Sequence, residues 1–157
     1  MQSNHFSRHA QQVHTVAHGG AGEGGSDPSI ARSWLRCLED YHLDPSVIEA
    51  PVVLEHGRLL ESRERLRQVL QIADHEMNSL HQQLSGAGHA VLLTDARGVI
   101  LNCVSAPTER RSFERAGLWL GADWSEAREG TNGIGTCLVR RHALAIHQNE
   151  HFPRRHT

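Results

Sequence analysis

The chain reads as an α+β domain, an antiparallel sheet with flanking helices, preceded by N-terminal helical segments. Three stretches carry this expectation. Residues 59–84 repeat apolar side chains at helical spacing; residues 89–104 read as a β-hairpin; and residues 123–152 read as a glycine-rich loop, a short helix and a compact apolar strand.

The whole chain sets the bounds. Its 157 residues suit one domain with a sizeable core, and 38% apolar with 22% charged residues is ordinary for a globular protein. A net charge of -2 with histidine neutral gives no global field that would gather nucleic acid, while thirteen histidines make the balance sensitive to mild acid. Cys37, Cys103 and Cys137 are few, odd in number and far apart, which points to a reducing compartment rather than a disulfide framework. No apolar run approaches the roughly 20 residues that cross a bilayer, so a cytoplasmic location without membrane contact is expected.

At the N-terminus, Phe6, Ala10, Val13 and Ala17 fall three or four apart, a faint helical pattern. His5 with His9 and His14 with His18 share i,i+4 spacing, but two imidazoles are half a metal site and no acid or thiol completes one nearby, so no metal is expected. Five glycines within residues 19–25 predict a linker, with residues 1–25 a flexible segment and order starting after it. Asp27-Pro28 is a helix opening, and Ile30, Trp34, Cys37, Leu38 and Tyr41 then line one buried face until Asp44-Pro45. Residues 26–58 form this N-terminal helical segment, and residues 59–157 the long helix with the sheet domain.

In the long helix, Leu66, Leu70, Ala73, Met77, Leu80 and Leu84 alternate four and three apart, a heptad seam. A rod of about 26 residues spans roughly 40 Å and outreaches the short strands behind it. A homodimer joined through residues 59–84 is the expected use of the surplus, against packing within one chain; Gly86 and Gly88 end the helix.

In the hairpin, residues 91–94 and 99–104 flank Asp95-Ala96-Arg97-Gly98, where Gly98 supplies the left-handed position of a type I turn with bulge. Asn102 sits among apolar neighbours, where it faces either a ligand cavity or solvent. A short helix near residues 109–116 carries Arg110, Arg111 and Arg115, read as a solvated, salt-bridged face rather than a nucleic-acid patch. Trp119, Leu120 and Trp124 then supply bulk before the glycine loop, as walls of an apolar pocket or as ordinary core.

The loop itself, Glu129-Gly130-Thr131-Asn132-Gly133-Ile134-Gly135-Thr136, lacks the Lys-Ser/Thr of a phosphate loop and the spacing of a dinucleotide fingerprint. Its glycines serve close backbone packing, and Thr131 or Asn132 can cap the helix that follows; a helix start of this kind can also receive an anion or polar ligand. Residues 143–148 read as the strand.

This run, with Glu150-His151-Phe152, resembles the GAF sensory region of sigma-54-dependent transcriptional activators of the acetoin and glycerol (dihydroxyacetone) catabolism type. The runs R-S-W-L-R-C-L-E-D-Y-H-L-D-P at residues 32–45 and L-L-T-D-A-R-G-V-I-L at residues 92–101 match as well. The likeness covers roughly residues 30–152. It departs at Gly133, where alanine is common, and at Arg140 and Arg141. The resemblance implies a GAF-like sheet with a small-molecule pocket, and two further central strands after Phe152 that this sequence lacks. The sheet is therefore expected to be incomplete, with open edges at residues 91–94 and 143–148, and the ATPase and DNA-binding domains of such activators lie outside these residues.

The expected function is a signal-sensing, small-molecule-binding regulatory module without enzymatic activity, cofactor or direct nucleic-acid contact. Asn102, Trp119, Trp124, Asn132 and His147 are the candidate pocket residues. Two other readings stay open: a thiol enzyme of the free methionine sulfoxide reductase kind, using Cys103 or Cys137 activated by His142 or His147, and a truncated oligomerisation fragment with no activity of its own.

Overall fold

A computed structural model describes residues 2–20, 27–47, 49–84, 86 and 88–153, with side chains from Arg8 onward. In chain order its elements are α1 (Gln2–Ala17), α2 (Pro28–Glu39), α3 (His56–Arg65), α4 (Arg67–Gln83), β1 (Ala90–Thr94), β2 (Ile100–Ser105), α5 (Arg110–Arg115), α6 (Glu126–Glu129) and α7 (Gly135–Arg140), then a 3-10 turn, Gln148–Glu150. They gather into two compact units: Met1–Ala50 with Trp124–Thr157, and Pro51–Asp123. The first unit thus draws α1 and α2 together with residues 124–157.

In the first unit, Val13, Val16 and Ala17 of α1 bury against Ile30, Trp34 and Cys37 of α2, and Phe152 closes the cluster. Order thus precedes the glycine linker: residues 2–17 are helix, contrary to a flexible N-terminus, because Val13, Val16 and Ala17 make one apolar stripe. Residues 21–26 of the linker lie outside the described residues. The α2 start follows its sequence signal, with the Asp27 carboxylate accepting from the Ser29 amide at 2.8 Å and Pro28 opening the helix.

The second unit holds an antiparallel ribbon of β1 and β2, in register from Ala90 opposite Ser105 to Leu93 opposite Asn102, with a bulge before Thr94 pairs with Ile100. The turn has the expected build: the Asp95 carbonyl accepts from the Gly98 amide at 3.1 Å, and Gly98 takes φ +92°. Beyond β2, single bridges join Val99 to Asp123 and Ala122 to Val53. The α+β expectation of a short antiparallel sheet with flanking helices holds; the sheet has two strands among the described residues.

Two expectations about elements are overturned. The rod over residues 59–84 is two helices broken at Leu66, whose φ of -105° and ψ of 16° leave the helical region. The two pieces are held to the hairpin at different places, α3 through Arg63, which donates to the Leu101 carbonyl, and α4 through buried Met77. The strand at residues 143–148 does not form. Leu144 and Ile146 are half-buried while Ala143, Ala145 and His147 face solvent, so the period-2 pattern is real, but no neighbouring backbone pairs with it among the described residues.

Candidate functional site

Residues 32–45, 129–136 and 150–152, three of the four stretches that carry the family resemblance, meet inside the first unit, where they hold one another; the fourth, residues 92–101, is the hairpin of the second unit. Ser33, Arg36 and Cys37 lie along α2 and face the loop at residues 126–136. The Glu126 side chain is wholly buried. It accepts a forked pair from Arg36, Nε to Oε1 at 2.9 Å and Nη2 to Oε2 at 3.2 Å, and a third bond from the Ser33 hydroxyl at 3.0 Å. Ser33 Oγ also lies 2.7 Å from Thr131 Oγ1 and 3.4 Å from Thr136 Oγ1. Burial works against the Arg36 charge, yet the bond and charge of Glu126 outweigh it and raise its pKa above the ordinary value.

Asn132 clamps the loop backbone. Its Oδ1 accepts from the amides of Ile134 and Gly135, both at 2.8 Å, and its Nδ2 donates to the carbonyls of Trp124 at 3.1 Å and Gly130 at 2.8 Å. Both donor hydrogens and both lone pairs are thereby engaged. Glu150-His151-Phe152 docks on the same unit: the Glu150 carbonyl accepts from Trp34 Nε1 at 3.0 Å, the Phe152 amide donates to the Thr131 carbonyl at 3.2 Å, and His9 Nε2 lies 3.0 and 3.1 Å from the carbonyls of His151 and Phe152. Among the described residues no buried side-chain nitrogen or oxygen lacks a partner. The loop is a structural lock, the packing alternative that its glycines allowed.

The second unit holds a groove. About 570 Å³ in volume, it runs between α3, α4 and β2 at the Leu66 break, lined by Leu60, Arg63, Arg67, Leu70, Asp74 and Asn102 among others. Arg67 Nε lies 3.3 Å from Glu64 Oε1, Arg63 and Asp74 add further charge, and Leu60 and Leu70 add apolar surface. Asn102 Nδ2 donates to Asp74 Oδ1 at 3.3 Å, and its Oδ1 accepts from the Cys103 amide at 3.0 Å. The wall therefore presents both signs of charge and an amide, a lining suited to a small polar molecule without net charge.

The five candidate pocket residues divide between the units. Asn102 lines the groove, and Trp119 is in the same unit, with the Arg110 guanidinium 4.5 Å from its ring centre. Trp124, Asn132 and His147 belong to the first unit, where Trp124 is buried, Asn132 is the clamp just described, and His147 is exposed beside Glu150, whose carboxylate accepts its amide at 2.8 Å. The predicted seam divides too: Met77 is buried, Leu66, Leu70 and Ala73 are half-buried, and Leu80 and Leu84 are exposed.

Sequence reasoning missed Glu126 and Arg36 as partners and the groove's arginines as lining. Only the i,i+3 spacing of Ser33 and Arg36 marked the former. Cys103 belongs to the second unit, and Cys137 with His142 and His147 to the first. Burial also pushes the Cys103 pKa up, the reverse of what a nucleophile needs, and lifts Cys37 to about 12. Among the described residues no cluster of three or more His, Cys, Asp or Glu side chains could hold a metal ion, and no helix is long and apolar enough to cross a membrane.

Comparison with known proteins agrees with the fold. The chain is 42% identical over 130 residues to the acetoin catabolism regulatory protein of Cupriavidus necator, covering 83% of this chain and 20% of that protein. It is 30% identical to the acetoin dehydrogenase operon transcriptional activator AcoR of Bacillus subtilis, over 78% of this chain and 20% of the relative. The propane 2-monooxygenase operon transcriptional activator MimR of Mycolicibacterium smegmatis is likewise 30% identical, over 79% of this chain and 20% of its own length. The chain spans about a fifth of the length of these relatives. Among solved structures, the Escherichia coli DhaR(N)-DhaL complex superposes with a TM-score of 0.75 at 18% identity, over 82% of this chain and 43% of that one, a likeness of fold. The MimR N-terminal domain model matches residues 8–155, nearly the whole chain, and the protein belongs to that family.

Proposed function

We propose that these residues form the signal-sensing module of a transcriptional regulator, and that a small uncharged polar effector binds the groove beside Asn102. The supporting observation is the groove itself, open at a helix break and walled by balanced charges and an amide, whereas no buried side-chain nitrogen or oxygen of the glycine-loop lock lacks a partner. The names of two relatives refer to acetoin, so hydroxyketones and diols are the first compounds to try. An effector acts by favouring one arrangement of α3 and α4 over another, since equal affinity for two arrangements shifts neither. The same reading takes residues 59–84 as the element that joins two copies and relays the signal, in a cytoplasmic, non-enzymatic protein.

Titration of the 157-residue chain with a panel of small hydroxyketones and diols, followed by calorimetry and tryptophan fluorescence, is the direct test. Saturable binding that Asn102→Leu abolishes is the expected result. A flat response across the panel, or binding indifferent to that substitution, removes the groove as the effector site.

A further inference from the structure

The turn of the hairpin and α3 together gather a set of hydrogen-bond donors that the groove does not use. The Ser62 hydroxyl, on a residue only 2% exposed, accepts from two guanidiniums, Arg65 Nη2 at 3.3 Å and Arg97 Nη2 at 3.1 Å. Its own proton has no acceptor among the described residues, which leaves a third donor at the same point. Arg58 stands one turn before Ser62, so Arg58, Ser62 and Arg65 fall within about 60° of arc on α3. Leu60, Arg63 and Glu64, the α3 residues that line the groove, fall on the opposite side of that helix.

Charge decides what such a cluster takes. The two guanidinium nitrogens that share the Ser62 oxygen stand no more than about 6.4 Å apart, so their charges repel and an anion placed against both relieves the repulsion. Asp95 answers one of them, its Oδ2 accepting from Arg97 Nε at 3.2 Å and Nη2 at 3.0 Å. Among the described residues no carboxylate forms an ion pair with Arg58 or Arg65, although Glu61 lies four residues before Arg65. A phosphate group brings close to two negative charges and three acceptor oxygens, which suits several donors fanning from one point better than the two oxygens and single charge of a carboxylate. All three arginines are exposed, so a ligand reaches them from solvent.

We propose that Arg58, Arg65, Arg97 and the Ser62 hydroxyl form a binding site for a phosphate dianion, free or as a small monoester, on the side of α3 away from the groove. The site is independent of the effector reading, whose ligand is uncharged.

The test is calorimetric titration of the 157-residue chain with inorganic phosphate and with methyl phosphate, at low ionic strength and pH 7.5. Saturable binding of roughly millimolar strength is expected, fading as sodium chloride is raised toward about 0.5 M. Arg65→Gln and Arg97→Gln should each weaken it about fivefold or more with an unchanged circular dichroism spectrum, and the double variant should lose it. Arg111→Gln, the same loss of charge on α5, should leave it unchanged. Tighter binding of the ester supports the site and assigns it to an organic phosphate; equal or weaker binding supports it as a site for the free ion. No saturable binding of either compound, or a loss in Arg111→Gln equal to that in Arg65→Gln, overturns the site. Binding of duplex DNA without saturable binding of either small phosphate also overturns it, and gives these arginines to nucleic acid instead.

Discussion

Two glycines of the loop, two positions apart, make opposite demands. A Cβ on Gly135 would run into the Glu126 amide nitrogen and lie 2.7 Å from the Trp124 carbonyl oxygen, both backbone atoms that cannot swing aside. A Cβ on Gly133 would meet nothing within 4 Å, and this residue is exposed. Gly135→Ala should therefore cost about 3 kcal/mol or more, through forced displacement of the loop from α6. Gly133→Ala should be neutral or stabilising by a few tenths of a kcal/mol, because only unfolded-chain freedom is reduced. Urea unfolding of the two variants checks both, and equal losses would show that the loop tolerates no side chain anywhere. Gly133, where the sequence departs from the pattern it resembles, is thus the position with room for a side chain.

The contact of α2 with the loop depends on an ion pair of unequal exposure: the Glu126 side chain is at 0% and that of Arg36 at 27%. Removing the guanidinium leaves a carboxylate stranded with one hydroxyl donor, whereas removing the carboxylate charge leaves a cation that can reach water. Arg36→Ala should thus cost about 3–5 kcal/mol, and Glu126→Gln distinctly less. Their combination should cost less than the sum, which a double-mutant cycle in urea measures. Elements with local signals were legible beforehand: the Asp27-Pro28 opening of α2, its Ile30–Trp34–Cys37 face, and the Asp95-to-Gly98 turn each state their own geometry. The break at Leu66 has no proline or glycine to announce it, and comes from tertiary ties of α3 and α4 to the hairpin. Residues 143–148 show the converse, since their alternation appears in the half-burial of Leu144 and Ile146 but a strand needs a neighbour, which pattern alone does not supply. Of the groove's lining only Asn102 was read as a pocket residue and Leu70 only as part of the seam, because most of the other walls are charged helix residues whose spacing looks like any solvated face.

The first unit joins segments far apart in the sequence, and α1 is tied to residues 151–152 by the His9 ring. Acid should loosen this unit through His151. Burial lowers its pKa below the ordinary 6.5, with Glu150 opposing that shift and His9 adding to it. Above about pH 7.5 the ring is neutral in folded and unfolded chains alike and contributes nothing to pH dependence. As pH falls through 6.5 the unfolded chain takes up the proton first, so stability declines until the lower folded-state pKa is passed. Amide exchange at pH 7.5 and 5.5 should show protection falling in α1, α2 and residues 150–152, while β1 and β2 of the other unit hold theirs once intrinsic exchange rates are corrected. His151→Asn should lose part of that acid sensitivity, because an amide of similar size does not titrate. Equal loss of protection in both units, or an unchanged pH profile in the variant, would show that the acid response comes from the other histidines.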